Sequence, residues 1–154
     1  MERFLLASLA ILLLIAAVSD FRRYTIPNWL SLAILALFVV RTVFNAPPFP
    51  LLVLDLLGAA LIFAIGFILF FKGMFGGGDV KLLSSVALWV GFVNLPRFLL
   101  TTTLAGGLLA LLLILIRWTR SRDGRVHDQR VPYGIAIAIA GIDYCVVQAN
   151  LAFW

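Results

Sequence analysis

Six apolar stretches take up most of the chain and leave it few possible folds. They run Phe4–Ser19, Trp29–Phe44, Leu51–Phe71, Val80–Leu95, Phe98–Ile116 and Gly134–Phe153. A bilayer span takes roughly 17–25 apolar residues, and a backbone inside lipid must satisfy its own hydrogen bonds, so each stretch is expected to be a helix. The links are short and hold residues that start or break helices. Pro27 and Asn28 precede the second stretch, Pro47, Pro48 and Pro50 the third, and Pro132 the sixth, while Pro96 separates the fourth from the fifth. With 64% of its residues hydrophobic and 12% charged, the chain is unlike a soluble domain, in which about a quarter are charged. No linker, repeat or low-complexity tract divides it. The expectation is an all-α integral membrane protein, a bundle of about six transmembrane helices, with residues 1–154 forming one membrane-embedded domain.

The charges set the expected orientation. Of the twelve Lys and Arg residues, Arg3, Arg41 and Arg97 fall on one side of such a bundle. Arg22, Arg23, Lys72, Lys81, Arg117, Arg120, Arg122, Arg125 and Arg130 fall on the other. Cationic loops stay in the cytoplasm, so the second side is expected there and both termini outside. The same asymmetry, with Glu2 offsetting Arg3 before the first span and two Arg after it, favours an anchor over a cleaved signal peptide. The net charge of +5 sits in short loops between spans. It points to anionic lipid head groups, in the Arg117–Arg130 loop above all, and away from nucleic acid. Cys145 and His127 are each the only residue of their type, so no cysteine pair or ligand spacing calls for a metal, and no cofactor is expected.

Carboxylates inside such a chain are costly and therefore informative. Asp20 closes the first span and Asp79 opens the fourth, each 16 residues from the outer boundary, Phe4 and Leu95 respectively. At about 1.5 Å per residue both would lie at one depth, a little below the cytoplasmic surface. The first, second and fourth spans look shorter than the others. Asp79 follows Gly76, Gly77 and Gly78. This run reads either as a loop whose Asp caps the next helix or as a site where glycines let the backbone turn sharply and approach another chain. Two carboxylates at one depth can share a proton. One then takes a proton from water while the other polarises an amide carbonyl and protonates the leaving nitrogen, which is peptide hydrolysis without metal or covalent intermediate.

Asp20, Arg22, Arg23 and Ile26-Pro27-Asn28 resemble the first motif of type IV prepilin peptidases. Gly76-Gly77-Gly78-Asp79-Val80-Lys81-Leu82 resembles their second motif, the Gly-x-Gly-Asp signature of membrane aspartic peptidases, and Val131-Pro132-Tyr133-Gly134-Ile135-Ala136 a third segment. The resemblance covers essentially the whole chain. It implies that Asp20 and Asp79 are the catalytic pair of an aspartic endopeptidase in the cell (inner) membrane, cutting prepilin-like precursors at the cytoplasmic face. The larger family members carry paired cysteines near the N-terminus and also methylate the new N-terminus. Here that cysteine pair is lacking, which resembles the short, peptidase-only branch serving Flp-type (tight adherence) pili.

Several residues keep two readings. Lys81 either reaches for the head groups or serves the site. Pro27 and Asn28 set the turn into the second span or shape the site, and Pro132, Tyr133 and Gly134 begin a helix or line it. Gly106 and Gly107 would allow close helix packing. Asp143 reads as a polar residue bonded between helices, and Asp55 lies about one turn in from the outer side. The alternative function is a small ion-coupled transporter or channel using Asp143 and Asp55, and a third is a membrane assembly subunit without catalysis.

Overall fold

The computed structural model of the protein describes residues 1–120 and 131–151. Among the described residues every regular element is a helix: α1 (Glu2–Arg23), α2 (Asn28–Asn45), α3 (Phe49–Phe71), α4 (Gly77–Arg120) and α5 (Tyr133–Leu151). All five are long and apolar enough to cross a membrane. The chain is a multi-pass membrane protein.

The local chemistry explains the ends. Tyr24 takes the left-handed conformation after α1 (φ 51°) and donates its N–H to the Asp20 carbonyl. Pro27, extended at ψ 138°, then serves as the N-cap of α2. Ala46 closes α2 in the same left-handed way, and Pro48 caps α3, whose first turn holds Pro50 where a missing N–H costs nothing. After α3 the sharp turn falls at Gly73, with φ 71°.

The fourth and fifth expected stretches run on without a loop as α4, a 44-residue element made of two helices joined at a kink. It is broken at Gly91 (φ 75°, ψ 162°), five residues before the expected break at Pro96, which lies within the helix. Asp55 decides the place. Its Oδ1 accepts the N–H of Phe92 at 2.7 Å, capping the arm that restarts there. The contacts show that the chain reverses at this point. Near the start of α4, Gly78 lies against Ile26, and Gly134 at the start of α5 lies against the same Ile26. Gly106, beyond the break, lies against Tyr133 at that same end. Residues 77–90 and 92–120 are therefore antiparallel arms.

The first arm forms the centre. Val86–Val90 are buried on every side, as expected of a helix covered all round. Trp89 donates its indole N–H to the Ile34 carbonyl of α2 at 2.8 Å and meets Phe38 edge-on. Glycines seat the neighbours: Gly66 of α3 against Val80, and Gly141 of α5 against Val86 and Leu13. Gly106 serves in the same way against Ala136, whereas a Cβ on Gly107 would meet nothing within 4 Å among the described residues. α1, at 22 residues, comes within one residue of α3 at 23, so the marked length difference expected of it does not hold. The Arg117–Arg130 loop lies outside the described residues from position 121 onward, and Phe153 of the sixth stretch lies outside them too.

Candidate active site

Asp20 lies in the last turn of α1 with only 4% of its surface exposed. Its Oδ2 accepts the backbone N–H of Gly134 at 2.7 Å. Gly134 is the second residue of α5, so the carboxylate takes an N–H at a helix start, where negative charge is favoured. The approach leaves no space for a side chain. A Cβ on Gly134 would lie 2.8 Å from Asp20 Oδ2 and 2.9 Å from Ile26 Cδ1. The turn that returns Ile26 to this point is fixed by Ser19, whose hydroxyl donates to the Thr25 carbonyl at 2.9 Å.

Asp79 is the third residue of α4, which begins at Gly77. It is therefore not the N-cap that the sequence suggested. Its carboxylate reaches back to the N–H of Gly76, the reciprocal arm of a capping box. The glycine run has a packing reason at each position. A Cβ on Gly76 would lie 2.7 Å from Asp79 Oδ2, one on Gly77 3.2 Å from the Phe70 ring, and one on Gly78 3.1 Å from Ile26 Cβ. None of the three has a positive φ; the sharp turn expected of them falls to Gly73.

The two carboxylates come to the same end of the bundle, Asp20 against Gly134 and Asp79 against Gly76. Ile26 is the wedge between their supports, touching both Gly78 and Gly134. Phe75 stacks on Tyr133 with ring centroids 5.2 Å apart and planes at 22°, which ties the loop before α4 to the start of α5. Neither Ile26 nor Phe75 was singled out in the sequence as a supporting contact. The available signal was position alone, an apolar residue next to each motif.

The other expected residues gather at the same end in supporting roles. Lys81 donates to Asn28 Oδ1 at 3.0 Å, so α4 is tied to the first residue of α2. Pro27 caps α2, and buried Pro132 precedes α5, its carbonyl accepting the N–H of Ile135 at 3.3 Å. Arg22 and Arg23 are exposed, and neither pairs with Asp20 among the described residues. Asp143 and Asp55 lie at the opposite end. Asp143 pairs with Arg97 at 3.0 Å, bonding α5 to α4. Asp55 is engaged as the cap at Phe92. The structure brings neither of these two to Asp20 or Asp79. Among the described residues no group of three or more His, Cys, Asp or Glu could hold a metal ion.

These contacts define a multi-pass helical membrane protein with two carboxylates gathered at one end of its bundle and set on helix starts. The chain belongs to the Type IV leader peptidase family, which residues 7–111 match. Among curated proteins it is 29% identical over 144 residues to a prepilin leader peptidase/N-methyltransferase of Legionella pneumophila, covering 90% of this chain and 48% of that protein. It is 37% identical over 70 residues to the protein of the same name from Aeromonas hydrophila, covering 46% of this chain and 22% of that one. The chain thus spans about half the length of the first of these relatives and less of the second. No solved structure matches it.

Proposed function

We propose that the protein is a membrane aspartic endopeptidase that removes the leader of Flp-like prepilins at the cytoplasmic face of the cell (inner) membrane. The observation that carries this reading is the gathering of Asp20 and Asp79, 59 positions apart in the sequence, at one end of the bundle, where Ile26 lies against the glycines beside both. A proton shared by the pair leaves one carboxylate ionised. That member takes a proton from water as the water oxygen adds to the amide carbon, and the protonated member gives its proton to the carbonyl oxygen. In the second step the pair gives its proton to the nitrogen, the C–N bond breaks, and a hydroxyl of the tetrahedral intermediate returns its proton to the pair as the carbonyl forms. Gly134 and Gly76 orient the two carboxylates through their N–H groups, while Pro27, Asn28, Gly77, Gly78, Lys81, Pro132 and Tyr133 shape the surroundings.

The relatives carry a second activity in their names. We assign this chain the peptidase step alone, on the sequence feature that Cys145 has no partner cysteine. Co-expression with a Flp-like pilin precursor tests both points. The parent protein is expected to shorten the precursor and leave its new N-terminus unmethylated by mass. Asp20→Asn and Asp79→Asn are expected to insert normally and leave it full-length. Shortening by either variant would overturn the assignment.

A further inference from the structure

Beside the carboxylates, between α2, α3 and the first arm of α4, lies a cavity of about 450 Å³. That volume falls within the range of ligand pockets, roughly 300–1,000 Å³. Its lining changes character along its length. Asn28 and Lys81, hydrogen-bonded to each other, stand at one end. Ser31, Ser84 and Ser85 follow about one turn further on, and Leu35, Leu88 and Phe63 complete the wall. From Asn28 to Leu35, and from Lys81 to Leu88, the helices rise about 10 Å. The polar end is the end of the candidate site, since Lys81 is two residues from Asp79 and Asn28 two residues from Ile26, which touches Gly78 and Gly134.

The serines make this more than an apolar crevice. Ser84 and Ser85 donate their hydroxyls to the carbonyls of Val80 and Lys81, both at 2.7 Å, which leaves their oxygens free to accept. Ser31 is 6% exposed, and its Oγ has no hydrogen-bond partner among the described residues. A buried hydroxyl without a partner is unfavourable, so the cavity favours an occupant with a polar backbone.

We propose that this cavity seats the apolar segment of the substrate that follows the cleaved bond, with Ser31 hydrogen-bonded to its main chain. The seat rests on the peptidase function proposed above. A substrate helix that begins just past the cut carries free N–H groups in its first turn, and inside a bilayer these need acceptors. Three serine oxygens at one level of the cavity supply them. A lipid acyl chain would fill the same volume but leave Ser31 unpaired.

The test places the photo-reactive p-benzoylphenylalanine at Leu35 in full-length Asp79→Asn protein in native membranes, with a pilin precursor co-expressed. A protein–precursor adduct is expected at Leu35. It should be lost when the precursor stops just past its cleavage junction, and be missing when the probe replaces Leu111 on the exposed second arm. In otherwise unaltered protein, Ala59→Phe fills the cavity. It should lower cleavage of the full precursor about tenfold more, a difference of about 1.4 kcal/mol, than cleavage of the truncated one. Adducts with lipid alone, or equal loss on both substrates, would overturn the seat. Such a result with both Asp→Asn variants inactive would overturn the seat and leave the peptidase standing. A precursor adduct with an Asp→Asn variant still active would instead remove the catalytic assignment.

Discussion

Gly134 holds Asp20 with a backbone N–H at 2.7 Å, and a methyl group there would sit 2.8 Å from the carboxylate. Gly134→Ala therefore has to push Asp20 and Ile26 aside, an overpacking cost of about 1–3 kcal/mol. Cleavage of a pilin precursor is expected to fall at least about tenfold while the variant still reaches the membrane, because small displacements of a reacting group are expensive in rate. Normal cleavage by Gly134→Ala would mean that this hydrogen bond does not orient the carboxylate. Asp143→Asn provides the opposite case. Its ion pair with Arg97 is half-exposed, with side chains 40% and 58% accessible, so it contributes at most about 1 kcal/mol. Precursor cleavage by that variant is expected to match the parent; its abolition would revive the ion-transport reading. At this scale the sequence exposed the two acids, because a carboxylate stands out in an apolar chain. It marked Gly76 and Gly134 only as motif residues near the site, not as the amides that hold the carboxylates. Gly134 is 114 residues from Asp20, and nothing local marks an amide that will be borrowed over that distance.

The clearest difference between sequence and structure at the level of elements is the break in α4. Pro96 was the visible breaker, yet the helix runs through it and fails at Gly91, whose φ of 75° and ψ of 162° belong to glycine almost alone. A proline near the start of a helical arm loses few hydrogen bonds, whereas a reversal needs a residue free to adopt that geometry and a partner for the N–H groups it exposes. The partner is Asp55, 37 residues earlier on α3. A Cβ on Gly91 would also come within 3.0 Å of the Asp55 carboxylate. Gly91→Ala should thus destabilise the protein by about 1–3 kcal/mol through strain, and Asp55→Ala by about 0.5–2 kcal/mol through loss of the cap. Both act on one turn, so the double variant should lose less than the sum. Thermal melting in detergent, followed by the fluorescence of buried Trp89, reads all three. Strict additivity would separate the turn from its cap. The helices themselves were legible, because apolar runs bounded by Pro27, Pro48 and Pro132 give α2, α3 and the start of α5 to within about two residues.

At the scale of the whole molecule, two polar ends flank an apolar middle, and they differ in kind. One end gathers Asp20, Asp79, Asn28 and Lys81 with exposed Arg22 and Arg23. At the other, Arg41 approaches Glu2 to 3.8 Å, donates to the Trp89 carbonyl at 2.9 Å and lies over the Trp89 ring, while Arg97 holds Asp143. Cations at the second end are thus largely engaged with protein groups, whereas Arg22 and Arg23 at the first face outward. Loops rich in Lys and Arg remain in the cytoplasm, so the carboxylate end is expected there. Single cysteines introduced at exposed Met74 and exposed Asn45, in a Cys145→Ala background, test this in whole cells with a membrane-impermeant maleimide. Asn45→Cys should label in intact cells. Met74→Cys should label only after the membrane is opened, because it lies in the turn between α3 and α4 beside the glycine run. The reverse pattern would turn the bundle over and put the carboxylates on the outer face. They would then be out of reach of a leader held in the cytoplasm, and the proposed substrate would fall with the orientation.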